Sequence, residues 1–161
     1  VYLDPAEFKS TWLGNKAIYR TRMAVADGGE LIILAPGVTK FGEDAQCDRL
    51  IRKYGYRGRL QTLKAFYRAE NQDLRDNMGA AAHLIHGSSD GRFSITYAVK
   101  NISQEEIAQV GFRPASYDAM AERYDPKKLH DGWNIVDGEE VYYISNPALG
   151  LWIDRARFET A

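Results

Sequence analysis

Three cations fall within seven residues, Lys16, Arg20 and Arg22, in the run Asn15-Lys16-Ala17-Ile18-Tyr19-Arg20-Thr21-Arg22. At helical spacing Lys16 and Arg20 share a face. Such a pair suits the carboxylate of a small acid, because ammonium and guanidinium groups bind carboxylates through charge-assisted hydrogen bonds. An ordinary solvated helix face accounts for the same pattern without any function. His83 and His86 form a second candidate, three residues apart near a helix end, where two imidazoles can face one metal ion. No third ligand stands nearby, since His130 and Cys47 lie in unrelated segments, and a structural or helix-terminal role fits the pair better. His86 keeps its interest because a glycine-serine turn follows it.

Gly37 and Gly42 have four residues between them, the glycine spacing of a phosphate-binding loop, and they follow the apolar run Leu31-Ile32-Ile33-Leu34. Glu43 and Asp44 occupy the positions where that motif needs lysine and Ser/Thr. Two carboxylates there repel a triphosphate, so nucleotide hydrolysis is disfavoured. As an acid/base pair they are no better, since chain neighbours seldom point at one substrate atom; Asp44 reads as a helix cap and Glu43 as a first-turn charge. Lys40 lies on the loop after the strand, where α/β domains place ligands. Cys47 falls on the apolar side of its helix, and a packed thiol is not activated. No Cys-x-x-Cys or Gly-x-Gly-x-x-Gly occurs, and pattern alone names no reaction.

The bulk composition narrows the field. With 161 residues and 45% hydrophobic content, the chain is long enough for one sizeable core, and 1–161 reads as a single domain. A net charge of −1, with 27% charged residues of both signs interspersed, gives no broad field for nucleic acid or an anionic membrane. One cysteine excludes an intrachain disulfide, and the N-terminal residues lack a signal-peptide layout, which points to the cytoplasm. No apolar run approaches the length of a membrane span. The opening Val1-Tyr2-Leu3-Asp4-Pro5 looks like mid-protein sequence, as expected of a domain from a longer chain.

These residues are positioned by elements that the hydrophobic period predicts. Pro5 through Ala26 reads as one or two helices, interrupted at Gly14, leading into a strand at Leu31 to Leu34. Asp44 caps a helix carrying Cys47, Leu50, Ile51 and Tyr54, with Gly55 as its stop. Leu60, Leu63, Phe66 and Tyr67 mark a second helix, and Leu74, Met78, Ala81, Ala82 and Ile85 a third. Phe93, Ile95, Tyr97 and Val99 alternate as a strand. Ser103 and Glu106 have capping-box spacing before a short helix closed by Gly111. Ser116 caps a helix with Tyr117, Met120, Ala121 and Tyr124 on one face; Ile135-Val136, an Asp137-Gly138 turn and Val141 to Ile144 then form β structure. Strands alternating with helices predict a three-layer α/β/α domain, with a mainly parallel sheet and helices on both faces.

Taken in order, Lys16, the run from Gly28-Gly29 to Leu34, and the run from Ile102 through Ser103, Glu105 and Glu106 to Gly111-Phe112 resemble the C-terminal domain of the nickel-pincer lactate racemase family. There a lysine-bearing helix precedes a glycine-glycine-apolar strand, and a later strand leads to a Ser-x-Glu-Glu helix ending in Gly-Phe. The resemblance runs from about Thr11 to Phe112 and weakens beyond. It implies that the chain is the C-terminal domain of a two-domain enzyme whose N-terminal domain holds a nickel-pincer nucleotide, and that this domain alone binds neither metal nor cofactor. A 2-hydroxy acid would lie in the cleft between the domains. Of the family's Tyr-Gln-x-x-Lys pattern only the lysine carries over, as Lys16, in an electrostatic catalytic role. Trp12 and Leu13 stand in place of the tyrosine and glutamine, while Asn15, Arg20, Arg22, Lys40 and His86 are available to bind substrate. More donors suit a longer polyhydroxylated acid, so a sugar acid such as an aldonate is expected rather than lactate. The competing expectation is a non-catalytic α/β module binding small carboxylates or a protein.

Overall fold

A computed structural model describes residues 1–159. Chain order places two short helices first, α1 (Thr11–Gly14) and α2 (Lys16–Tyr19), before strand β1 (Glu30–Ala35). The crossover to β2 (Ser94–Val99) carries α3 (Ala45–Tyr54), α4 (Arg59–Phe66), α5 (Gln72–Arg75) and α6 (Met78–His86). Helix α7 (Gln104–Gln109) connects β2 to β3 (Arg113–Ser116), which runs into α8 (Tyr117–Arg123). A hairpin of β4 (Gly132–Val136) and β5 (Glu139–Tyr143), a 3-10 turn at Pro147–Leu149 and α9 (Arg155–Glu159) follow.

The sheet is parallel in the order β1-β2-β3, with Glu30 opposite Ser94 and Thr96 opposite Arg113. Tyr2 adds a parallel bridge to Leu34 on the free side of β1. Side chains alternate across the sheet as the period of two requires. Leu31, Ile33 and Ala35 of β1, with Ile95, Tyr97 and Val99 of β2, face the main core and meet Phe8, Ile18, Ile51, Leu74, Leu84 and Ile107. Leu34 and Ala98 face the other way, onto Tyr124 and Val136, with Tyr117, Met120 and Val141 packed around them. Helix α8 and the hairpin thus form the second outer layer, and the expected α/β/α arrangement is the one observed. No helix among the described residues is long and apolar enough to cross a membrane.

Local signals explain most boundaries. The Asp44 carboxylate accepts a 2.8 Å bond from the Cys47 amide at the start of α3, and Gly55 ends that helix at a φ of 66°. Ser103 and Glu106 form a full capping box on α7. Asp137 and Gly138, both at positive φ, make the two-residue turn that matches the twist of a hairpin.

Three features depart from the sequence pattern. The stretch marked as a third helix divides into α5 and α6, because the Asn77 side chain turns back to accept a bond from the Ala80 amide and starts a new helix. Strand β3 has no apolar alternation, and Pro114 lies within it, as an edge strand tolerates. Helix α4 faces the opposite way from its pattern. Thr62 is buried and Ala65 and Phe66 are half-buried, whereas Leu60, Leu63 and Tyr67 point outward at 66%, 36% and 77% exposure.

Candidate functional site

The loop after β1 closes on itself. The Asp48 carboxylate accepts hydrogen bonds from the Phe41 amide at 2.8 Å and the Gly42 amide at 3.1 Å, the kind of donors that a phosphate would need. Burial alone would raise the Asp48 pKa, but Arg52, at 2.6 Å, and the two amides lower it below the usual carboxylate range. Gly42 is held against the first turn of α3 so tightly that a Cβ there would overlap the Asp48 amide nitrogen. The glycine spacing therefore serves backbone packing, and a carboxylate of the chain itself occupies the anion position.

The same loop carries Lys40 to the start of α1. Ser10 bridges Lys40 in parallel, and the Thr11 and Trp12 amides donate to the carbonyls of Lys40 and Phe41. The Lys40 ammonium donates to the Glu43 carbonyl at 2.7 Å, while the Ser10 hydroxyl donates to the Glu43 carboxylate at 3.0 Å. Lys16 opens α2, half-buried, with its ammonium 5.8 Å from the centroid of the buried Phe8 ring. It has no ion pair among the described residues.

Asn15, the joint between α1 and α2, is fully enclosed. A Cβ on Gly87 would come 2.5 Å from its amide nitrogen and 2.8 Å from the Tyr56 ring, so only glycine fits at the end of α6. Neither amide atom of Asn15 has a hydrogen-bond partner, and the buried Tyr97 hydroxyl has none either. Asn15 thus frames the helix joint and is closed to a ligand.

Around that joint lies a polar chain that sequence reading missed. The Thr11 hydroxyl donates to the Phe41 carbonyl at 2.9 Å, which leaves the Tyr56 hydroxyl to donate to Thr11, also at 2.9 Å. His83 Nε2, 2.9 Å from the Tyr56 oxygen, is then placed to donate to it, as a ring with its proton on Nε2 does. Trp12 stacks on His83 with ring centroids 4.2 Å apart. Burial raises the Tyr56 pKa. The only sequence signal for Tyr56 is its place between Gly55 and Gly58, both at positive φ.

Burial, with a smaller contribution from His86, lowers the His83 pKa to about 4. The unfolded chain protonates this imidazole near pH 6.5, so falling pH favours unfolding between about 6.5 and 4, and the effect ends below 4. The expected loss across that window is about 3 kcal/mol. Denaturant titrations at pH 7 and 4.5 should show this slope in the wild type and its absence in His83→Gln. An equal slope in the variant would show that carboxylates carry the acid sensitivity instead.

Of the remaining candidates, Arg20 stands one turn after Lys16 at the end of α2, its amide donating to the Lys16 carbonyl at 3.0 Å. Arg20 donates to the Gly150 carbonyl at 3.3 Å, and Arg22 pairs with Asp90 at 3.7 Å. The Arg20 carbonyl also accepts from the Trp152 amide, the Arg22 carbonyl accepts from Arg92, and Met23 bridges Ile153. His86 is exposed at the end of α6. Among the described residues no group of three His, Cys, Asp or Glu is placed to hold a metal ion. Cys47 is buried, which raises its pKa. The run Gly87-Ser88-Ser89-Asp90-Gly91 has nucleophile-elbow spacing. It lies on a turn from helix to strand, the reverse of an elbow's strand-to-helix turn, and no hydrogen bond joins Ser89 to a histidine among the described residues.

The arrangement defines a three-layer α/β/α domain with a half-buried lysine on a short helix beside the loop of its first strand. No family model matches this chain, and no curated protein matches it. It is similar to a crystal structure of a protein from Thermotoga maritima, with a TM-score of 0.65 and 21% identity over 96% of this chain. The chain spans 35% of the length of that protein. At this identity the likeness shows the fold alone.

Proposed function

We propose that this chain is the substrate-holding domain of a nickel-dependent racemase or epimerase of 2-hydroxy acids, with a sugar acid such as an aldonate as substrate. The observation that carries this reading is Lys16, a half-buried residue whose ammonium lies near the Phe8 ring without an ion pair among the described residues. A cation with a low-dielectric surface on one side attracts a carboxylate more strongly than one in open water. Lys16 would offset the substrate carboxylate and fix the direction of the α-carbon. Trp12, held by its stack on His83, would supply a flat wall from the preceding helix α1. Such a wall suits the C–H face of a polyhydroxylated chain.

The nickel-pincer nucleotide belongs, in this reading, to a separate histidine-bearing domain. The described residues here do not fit a nickel ion: they lack a ligand group of three, and His83 is engaged by Tyr56. No step through the cofactor is assigned to this chain. A cytoplasmic setting accords with the unpaired, buried Cys47. A second reading, a protein-binding module without chemistry, rests on the outward apolar residues of α4.

Calorimetric titration of the full-length parent protein with gluconate, lactate and uncharged sorbitol tests the proposal. Gluconate should bind tighter than lactate, and sorbitol should not bind. Equal affinity for gluconate and lactate would remove the sugar-acid assignment. Acids binding no better than sorbitol would remove the carboxylate site itself.

A further inference from the structure

Because the Arg20 amide closes a helical turn onto the Lys16 carbonyl, the two side chains leave the helix from neighbouring points, with Cβ atoms about 5–6 Å apart. Two like charges at this spacing repel, which weakens the helix that carries them. The next cation along, Arg22, is balanced by Asp90. Neither Lys16 nor Arg20 has an ion pair among the described residues, although both are half-buried. Each has a defined seat. The Lys16 ammonium lies beside the Phe8 ring, while the Arg20 guanidinium carbon is 5.9 Å from the centroid of Tyr19 and its Nη1 donates to the Gly150 carbonyl. That bond uses one of several N–H donors of the guanidinium and leaves the others available. The turn at Pro147–Leu149 packs on α2, and Asn146 just before it donates to Glu7, the chain neighbour of Phe8, at 3.0 Å. The segment 146–150 therefore runs along α2 from the neighbourhood of Phe8 and Lys16 to that of Arg20.

We infer that this surface takes a 2-hydroxy acid with a second anionic group at its far end. Lys16 receives the carboxylate beside the reacting carbon, and Arg20 receives the second group. The inference rests on the role given to Lys16 above and narrows the sugar acid to one with two charges, an aldarate or an aldonate phosphorylated at its terminal carbon. A dianion offsets both cations, whereas a monoanion leaves one of them unbalanced. Arginine suits the far end, because its planar fork matches the two oxygens of a carboxylate or a phosphate and holds them in one orientation.

Calorimetric titration of the full-length parent protein with gluconate, glucarate and phosphogluconate, beside uncharged sorbitol, tests this. At least one of the two dianions should bind about tenfold or more tighter than gluconate, the worth of an added charge-assisted hydrogen bond. Whichever does so identifies the second group as carboxylate or phosphate. In Arg20→Gln the ratio of dianion to gluconate affinity should fall to about one. Arg20→Lys keeps the charge and a donor for the Gly150 carbonyl but loses the fork, so its ratio should fall between those of the wild type and Arg20→Gln. Thermal melts show whether both variants are folded, and the wild-type ratio stands without them. Gluconate binding as tightly as both dianions overturns the inference and leaves the role of Lys16 intact. A dianion preference that survives in folded Arg20→Gln overturns the assignment of Arg20. If all three acids bind no better than sorbitol, the carboxylate site at Lys16 fails and this inference falls with it.

Discussion

Lys16→Ala is expected to weaken binding of a 2-hydroxy acid by about 10- to 100-fold, the span of one charge-assisted hydrogen bond. The melting temperature should barely move, because the side chain is half-buried and contributes to the fold mainly through its contact with Phe8, worth about 0.5–1 kcal/mol at such sites. Arginine at this position tests geometry separately from charge. Its planar guanidinium keeps the cation but presents its donors differently from a compact ammonium, so Lys16→Arg should recover only part of the affinity. Calorimetry on the parent protein gives both numbers. A change of less than twofold in Lys16→Ala would take the lysine out of the site and leave the fold description intact.

Gly42→Ala should be the most damaging single substitution in the loop after β1. The added methyl would overlap the Asp48 amide nitrogen and lie 2.6 Å from the Cys47 carbonyl carbon, and both are backbone atoms of α3 that no rotamer change can move. Relief requires the loop to lift, which breaks the bonds from the Phe41 and Gly42 amides to the Asp48 carboxylate. The combined cost is about 3 kcal/mol or more, which for a chain of this size lowers the melting point by about 6–12 °C. A thermal melt within 2 °C of wild type would mean that the helix start yields more easily than its contacts suggest.

Where the chain signals structure through neighbours in sequence, the elements are legible in the residues themselves. Asp44 with Gly55, Ser103 with Glu106, and Asp137 with Gly138 act within one or two turns, and each formed the cap or turn that its spacing predicts. Strand β2 was equally legible because its alternation is unbroken from Phe93 to Val99. What could not be read depends on distant partners. Strand β3 is a strand only because Thr96 to Val99 lie beside it. The outward face of α4 is set by what α6 and the core leave uncovered, and its periodicity is the same whichever way it turns. In the candidate site Lys16 and Lys40 stood out by charge, but the enclosure of Asn15 did not, since an asparagine between two helical stretches looks like any surface cap. Tyr56 and Thr11 are joined by a hydrogen bond across forty-five positions of chain, for which no local pattern exists.

The parallel pairing of β1 with β2, whose partners are separated by four helices, also bears on how fast the chain folds. Closing so long an intervening loop costs entropy before any ladder bond forms, and parallel strands gain nothing from a hairpin nucleus. The helices of the crossover, of which α3 and α6 carry side-chain caps, can assemble on a faster timescale than the sheet that must close around them. Stopped-flow refolding would then show helical ellipticity recovering ahead of tertiary signals that depend on β1 meeting β2, with an interval in which the apolar strand from Leu31 to Leu34 stands unpaired and open to aggregation.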